Sequence, residues 1–459
     1  MTQENTTEPP ERNAKRWWML AAMGACLGVF LLDEVVVGVA LPAIRKDLGI
    51  SNLQAHWVVN TYLLALAGLA AAAGRLADIV GAKLLMILGL ALFGGASALG
   101  GFAESGQDLI IARLVQGVGA ALMFPVSTFL VTVAFPPEER GKALGIYGSI
   151  GTSFMALGPF IGGALTEYLS WRWIFWVNPP IVIVIAVIAL ATWREPKRKE
   201  ENSFDALGLI LLVFSLCLTV FAIMEGPDRG WQSPDTRIPL GLGLVLLVLF
   251  VFAERRSDTP LIAVRLFANP SFAAFNLTVF TAQFVKIALF IFGARFFQDK
   301  LGLSPMISGL ALLPAVAPQV VLATFTGSLA DRFGPRLPSL IGLSGAVIGT
   351  LIMASGIQIS NIPLVVAGLL LWGVSVPLLF VPPRRAVMSA VPPEMGGQAG
   401  GIVISCQLLG GTMGMALCSS VFSMTGSIHE VFWATAGVAF AVLLFGAVAF
   451  ERGRGGASA

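Results

Sequence analysis

Apolar runs of membrane-crossing length alternate with short polar connections along the whole chain. They cover residues 17–41, 56–74, 84–103, 108–134, 142–166, 174–193, 206–225, 238–254, 271–297, 305–328, 338–356, 361–383, 398–422 and 429–450. About 20 apolar residues are what a helix needs to cross the hydrocarbon of a bilayer. The pattern therefore predicts an all-α polytopic membrane protein with 14 transmembrane helices. An even count places both termini on one side. Of the 29 Lys and Arg, counting Lys142 and Arg295 at run ends with the adjoining connections, 20 fall in the tails and connections on that side and 7 in the opposite connections, with Arg113 and Lys286 well inside runs. Basic residues concentrate on the cytoplasmic side, so both termini are expected there, in a multi-pass protein of the cell membrane.

Composition agrees with the pattern. The chain of 459 residues is 56% hydrophobic and only 12% charged, about half the charged share of a soluble domain. Such a chain has no polar exterior to offer water, whereas a lipid bilayer asks for none. The net charge of +3 is small, and no basic patch is interleaved with stacking aromatics, so nucleic acid is not an expected partner. Cys26, Cys217, Cys406 and Cys418 all sit in apolar runs without close pairing, which argues against a disulfide framework or a metal site. The sequence has no Ser/His/Asp set and no nucleotide-binding loop, which argues against an enzyme and against ATP-driven transport, and no cofactor is expected. His56 and His429 fall at run ends and read as interfacial structural residues. Residues 1–16 are polar without a cleavage pattern, and the run after them is too long for a signal peptide, so it reads as a retained first helix.

Two segments of the first half recur in the second. Gly74 to Lys83 (GRLADIVGAK) is echoed by Gly327 to Arg336 (GSLADRFGPR), 253 positions later. Phe135-Pro136-Pro137-Glu138, leading to Gly145-Ile146, is echoed by Val391-Pro392-Pro393-Glu394, leading to Gly401-Ile402, 256 positions later. Two independent echoes at nearly one spacing indicate duplication of a helical bundle. The expected organisation is a tail over residues 1–16, a six-helix bundle over 17–193, a charged link with two inserted helices over 194–270, a second six-helix bundle over 271–450, and a tail over 451–459.

Five motifs carry a family likeness. Parallel six-helix repeats with a central helix pair resemble the fourteen-helix drug:proton antiporter branch of the major facilitator superfamily. GRLADIVGAK is similar to the signature between helices 2 and 3, with Ile79 and Ala82 where the family usually has basic residues. Ile111 to Ala121 (IARLVQGVGAA) resembles the helix-4 signature. Gly158-Pro159-Phe160-Ile161-Gly162-Gly163 resembles the helix-5 antiporter motif, with Phe154 where a further Gly is usual. Leu32 to Pro42 (LDEVVVGVALP) resembles the helix-1 signature, with Val35 and Gly38 in place of Thr and Asn, and Trp171 to Pro179 (WRWIFWVNP) resembles the entry to helix 6. The resemblance implies a conformational gate at Gly74, Asp78, Gly81, Lys83 and Asp331, with Asp78 as a latch between bundles. It implies a second gate at Gly158, Pro159, Gly162 and Gly163, where small residues let backbones approach and proline kinks the helix.

Charges inside the runs are the sharpest chemical signal, because a charge in hydrocarbon costs about 2.5–3.5 kcal/mol and so is usually paired or functional. At about 1.5 Å per residue, Asp33 lies about 24 Å into outward-running helix 1 and Arg113 about 8 Å from the outer end of helix 4. In a core about 30 Å thick these heights agree to within a turn. Lys286, Glu34, Asn60 and Tyr62 join that layer. Asp33 and Glu34 point about 100° apart on a helix; the resemblance pairs Asp33 with Arg113 and leaves Glu34 facing the cavity, with Lys286 as its candidate counter-ion. Asp33, Glu34 and Arg113 are the expected proton-coupling residues. Glu34, Asn60, Tyr62, Gln116, Gln283, Lys286, Trp372 and Gln407 are the expected substrate contacts, with Trp372, Tyr62 and nearby Phe rings suited to a flat amphipathic ligand.

The reading that follows is a proton-coupled exporter of small amphipathic or drug-like compounds, working by alternating access around a midplane site. Its partners are the substrate, protons and lipid, and a monomer is expected because one chain forms the cavity. Two other readings stay open at this point: an exporter dedicated to one metabolite or anionic compound, motivated by Lys286, and a receptor on the same scaffold that binds without flux.

Overall fold

Two serines show how the chain turns between spans. Ser51 accepts a hydrogen bond from the backbone of Gln54 while the Gln54 side chain accepts one from the backbone of Ser51, and Ser105 with Asp108 repeats the arrangement. Each box satisfies donors that a helix start leaves open. The structure, a computed structural model, describes residues 10–136, 139–192, 205–257, 260–391 and 396–452. The chain runs through α1 (Pro10–Asp47), α2 (Asn52–Val80), α3 (Ala82–Gly101), α4 (Gly106–Ala134), α5 (Arg140–Tyr168), α6 (Trp173–Trp176), α7 (Asn178–Thr192), α8 (Ala206–Arg229) and α9 (Pro234–Arg256). It continues through α10 (Pro270–Arg295), α11 (Pro305–Leu312), α12 (Ala317–Phe333), α13 (Arg336–Gln358), α14 (Ile362–Ser389), α15 (Gly396–Thr425) and α16 (Ile428–Arg452).

Among the described residues, 13 helical stretches are long and apolar enough to cross a membrane. Helix α2, with 29 residues, is a further helix of crossing length. Two expected spans are each built from two helices. Pro179 and Pro180 lack the N–H groups a continuous helix would use, and the sixth span breaks into α6 and α7 just ahead of them. Pro314 and Pro318 similarly divide the tenth into α11 and α12 around a 3-10 turn. Another difference concerns α14. The apolar run stops at 383, yet the helix continues to Ser389 and takes in Arg384 and Arg385. Hydropathy registers where apolar side chains end, whereas backbone bonds continue wherever packing continues, here through Ala386 and Val387, both buried.

Small residues set the helix spacing. Helix α1 lies against α5 so closely that a β-carbon on Gly24 would meet Ile150 at 2.7 Å, and one on Gly28 would meet the Phe154 ring at 2.6 Å. Phe154, which replaces a glycine of the motif, thus occupies the room left by Gly28. Gly158 and Gly162 face Val35 and Val36 of the same helix. Helix α8 lies between α2 and α15: Val220 and Met224 pack with Leu53, Trp57 and Ala416, and Trp57 Nε1 donates to Glu225 Oε1 at 2.9 Å. Leu242, Val245, Val248 and Phe252 of α9 are exposed, an apolar face suited to lipid. The two echoed loops share one backbone feature. Gly81 after α2 and Gly334 after α12 have φ of 99° and 73°, a conformation glycine adopts without a side-chain clash.

The halves α1–α7 and α10–α16 meet closely at the end where α1 and α10 finish. Arg45 Nη2 and Arg295 Nε share Asp299 Oδ2 at 3.1 and 3.2 Å, and both arginines donate to Asn52 Oδ1. Gln298 donates to the Val39 carbonyl at 2.7 Å, Glu167 accepts from the Met306 backbone at 2.9 Å, and His56 Nδ1 lies 2.7 Å from Ser419 Oγ. Gly163 leaves space for the Pro305 carbonyl, and Gly309 faces the Pro159 carbonyl too closely for any side chain. The α5–α11 contact therefore tolerates no added carbon. Gly309→Val is expected to part the halves at this end. With the four native cysteines replaced by serine, Ile291→Cys, buried against Gly38, should label severalfold faster with a membrane-impermeant maleimide when Gly309→Val is added. An unchanged labelling rate would show that this contact does not hold the end closed.

Candidate functional site

Helix α1 is buried on every side around its midpoint, with Leu32, Val35, Val36 and Val37 all at 3% exposure or less. Two adjacent acids therefore enter the interior in different directions. Asp33, 2% exposed, points into the first half. Its Oδ2 accepts from Arg113 Nη1 at 2.6 Å, and its Oδ1 accepts from Gln116 Nε2 at 2.8 Å and Asn178 Nδ2 at 3.1 Å. Arg113 also donates to Gln116 Oε1 at 2.7 Å and to the Val58 carbonyl at 3.2 Å, and its guanidinium lies 4.0 Å from the centre of the Tyr62 ring. The break between α6 and α7 matters here, because it sets Asn178 at a helix start with its amide reaching both Asp33 and Ser97 Oγ. Asp33 is thus held by α4 and α7 of its own half.

Glu34 points across to the other half. Lys286 Nζ on α10 lies 2.8 Å from its Oε2, and Gln283 Nε2, almost one turn earlier on the same helix, donates to Oε1 at 2.7 Å. Glu34 and Lys286 are 6% and 5% exposed. A chain of side-chain amides continues from there. Gln407 of α15 donates to Gln283 Oε1 at 3.4 Å, and Arg384 of α14 donates to Gln407 Oε1 at 2.5 Å. Such pairs lose hydration when buried, and they persist where further hydrogen bonds hold both partners. Both acids here have that support.

Asn60 donates to the Met224 sulfur at 2.9 Å and so faces α8. Tyr62 is fully buried beneath Arg113 and stacks on Phe30, and its hydroxyl has no hydrogen-bond partner among the described residues. Trp372 is fully buried where α14 crosses Gly349 of α13, and its indole N–H is likewise unpartnered. Among the described residues, no hydrogen bond or ring contact joins Trp372 to Tyr62. Gly74 is exposed and Lys83 half-buried, while the side chains of Asp78 and Asp331 and the link Arg194 to Glu201 lie outside the described residues.

Three site residues escaped sequence reasoning. Asn178 stood inside a recognised motif without an assigned role; the two prolines after it were the available signal. Arg384 was placed in a connection because the apolar run stopped one residue earlier. His56, read as interfacial, is 1% exposed and bonded across the halves, since Phe292 and Phe422 rings cover it from α10 and α15.

The family model described as Major Facilitator Superfamily matches residues 19–415 and 274–458. The multidrug resistance protein Stp of Mycobacterium tuberculosis is 34% identical over 411 residues, spanning 89% of this chain and 76% of the relative. The puromycin resistance protein pur8 of Streptomyces alboniger is 33% identical over 413 residues, 89% of this chain and 82% of the relative. Among solved structures, a bacterial homologue of the human lysosomal transporter Spinster superposes with a TM-score of 0.70 at 16% identity, covering 95% of this chain and 97% of that one, a likeness of fold. The chain belongs to the Major Facilitator Superfamily. It is a polytopic membrane transporter and not an enzyme, and its relatives include proteins of drug and antibiotic resistance.

Arg113 is the charge partner of Asp33 in the interior. Arg113→Ala leaves a buried acid without its charge partner, which costs about 3–5 kcal/mol. The expected result is loss of transport and a lowered melting temperature in purified protein. Arg113→Lys should recover little, because one ammonium does not replace a planar fork bonded to Asp33, Gln116 and the Val58 carbonyl together. Wild-type flux in Arg113→Ala vesicles would remove the residue from the mechanism.

Proposed function

We propose that this transporter is a proton-coupled exporter of small amphipathic compounds, with Glu34 as the exchangeable carboxylate and Asp33 as the anchor of the first half. One observation carries the reading: Glu34 belongs to α1, whereas both groups that hold it, Lys286 and Gln283, belong to α10 of the opposite half. The charge of Glu34 and the contact between the halves are therefore linked. With the halves together, Lys286 stabilises the ionised acid. When they separate, Glu34 loses that partner and a proton becomes the alternative source of neutrality. Asp33 has no such dependence, because its partners travel with it. The resistance named for the relatives Stp and pur8 supports export as the direction and drug-like molecules as the substrate class. Both termini on the cytoplasmic side and a monomeric working unit belong to the same proposal.

The test is flux of ethidium in proteoliposomes under an imposed pH gradient. Wild-type protein should exchange the dye against protons. Glu34→Gln should bind ethidium yet lose the response to the gradient, since its neutral amide cannot follow the proton. Asp33→Asn should abolish transport through loss of the Arg113 anchor. Gradient-driven flux that persists in Glu34→Gln and vanishes in Asp33→Asn would move the proton to Asp33 and overturn this division of roles.

A further inference from the structure

The four charges around α1 cancel in pairs: Arg113 against Asp33, and Lys286 against Glu34. Lys286 is therefore not a free cation for a ligand. Arg384 is different. Among the described residues it has no carboxylate partner, and its one hydrogen bond goes to the neutral amide of Gln407. It lies about one and a half turns before the end of α14, remote from the closed Arg45–Asp299 end, because α14 starts at the closed end and runs away from it. Gln407, 9% exposed, is beside it on α15, and Tyr147 of α5, in the opposite half, is close enough to be its electrostatic neighbour. The Phe380 ring lies 5.4 Å from its guanidinium carbon, and Tyr147 itself is tied to Ser127 and Thr128 of α4. Arg384 nonetheless retains accessible surface. Arg384 is thus an accessible cation with neighbours in both halves.

Charges within membrane helices face the bundle interior or a water-filled cavity, where they are paired or line a substrate path; Arg384, just past the apolar run, has no acid to pair with among the described residues. A guanidinium offers five donors in a planar fork that fits a carboxylate through two parallel bonds. We infer that Arg384 is the anchoring site for an anionic group, a carboxylate, on the transported compound. The bound group displaces Gln407 Oε1 from the guanidinium. Gln407 is the next link toward Gln283 and Glu34, so occupancy at Arg384 is transmitted to the proposed proton site through two amide side chains. The substrates this favours are flat amphipathic molecules that carry an acid besides any basic group. The inference rests on the exporter reading only in taking the space between the halves as the substrate path.

Rhodamine 110 and its methyl ester rhodamine 123 differ in just this feature: the first keeps a free carboxylate and the second has it masked. Binding of each to purified, lipid-reconstituted protein is read by fluorescence polarisation. Wild-type protein should prefer rhodamine 110. Arg384→Gln should weaken rhodamine 110 about tenfold more than rhodamine 123, and Arg384→Lys should restore part of the difference, with an unaltered melting temperature confirming the fold of each variant. No preference in the wild type, no binding of rhodamine 110, or equal loss of both dyes in Arg384→Gln would overturn the assignment. The two proposals fail separately: gradient-driven flux of rhodamine 123 without a carboxylate preference removes only the Arg384 site, and a preference without any gradient-driven flux removes only proton coupling.

Discussion

A carboxylate buried in a membrane protein is stable only where the protein replaces the water it lost. For Glu34 the replacement comes entirely from α10, a helix of the other half, through Lys286 and Gln283. The pair bridges the two halves inside one continuous apolar core. Movement of one half against the other would therefore change the surroundings of this side chain directly. Asp33, one residue earlier, shows the contrast. Its three donors come from α4 and α7, so it stiffens a single half and is indifferent to the other.

Close backbone approach makes that geometry possible. The glycines of α5 divide by direction: Gly158 and Gly162 admit α1, and Gly163 admits α11 of the opposite half. One motif therefore both positions the helix that carries the acids and forms part of the closed end. In lipid, packing of small residues replaces the hydrophobic effect as the force between helices. Beside these contacts, the Arg45–Asp299–Arg295 cluster and the buried His56–Ser419 bond give the closed end a polar seal.

Charge pairing also changes which cation matters for a ligand. From the pattern of runs, Lys286 was the natural candidate for an anionic substrate, because it stood in the middle of a run of the second half. Its ion pair with Glu34 removes it from that role. Arg384 acquires it through nothing more than six further residues of helix beyond the apolar run.

The sequence alone determined the membrane location, the helical class and the family, because each depends on the length and spacing of apolar runs or on short motifs that survive intact in one dimension. It also located Asp33, Glu34, Arg113 and Lys286, since a charge within an apolar run is visible without any coordinates, and the family resemblance with shared depth suggested their pairs. Tertiary structure decided which further donors hold each acid, Gln116 and Asn178 for Asp33 and Gln283 for Glu34. Asp33 and Glu34 are neighbours in sequence yet serve different halves, and their partners lie 80 and 252 positions away. No periodicity in the chain encodes which helix will stand opposite each face of α1. Nor does hydropathy reveal that α14 continues past its prolines, or that His56 ends up buried beneath two phenylalanine rings. Those outcomes depend on contacts between distant helices, and only the packed protein brings those helices together.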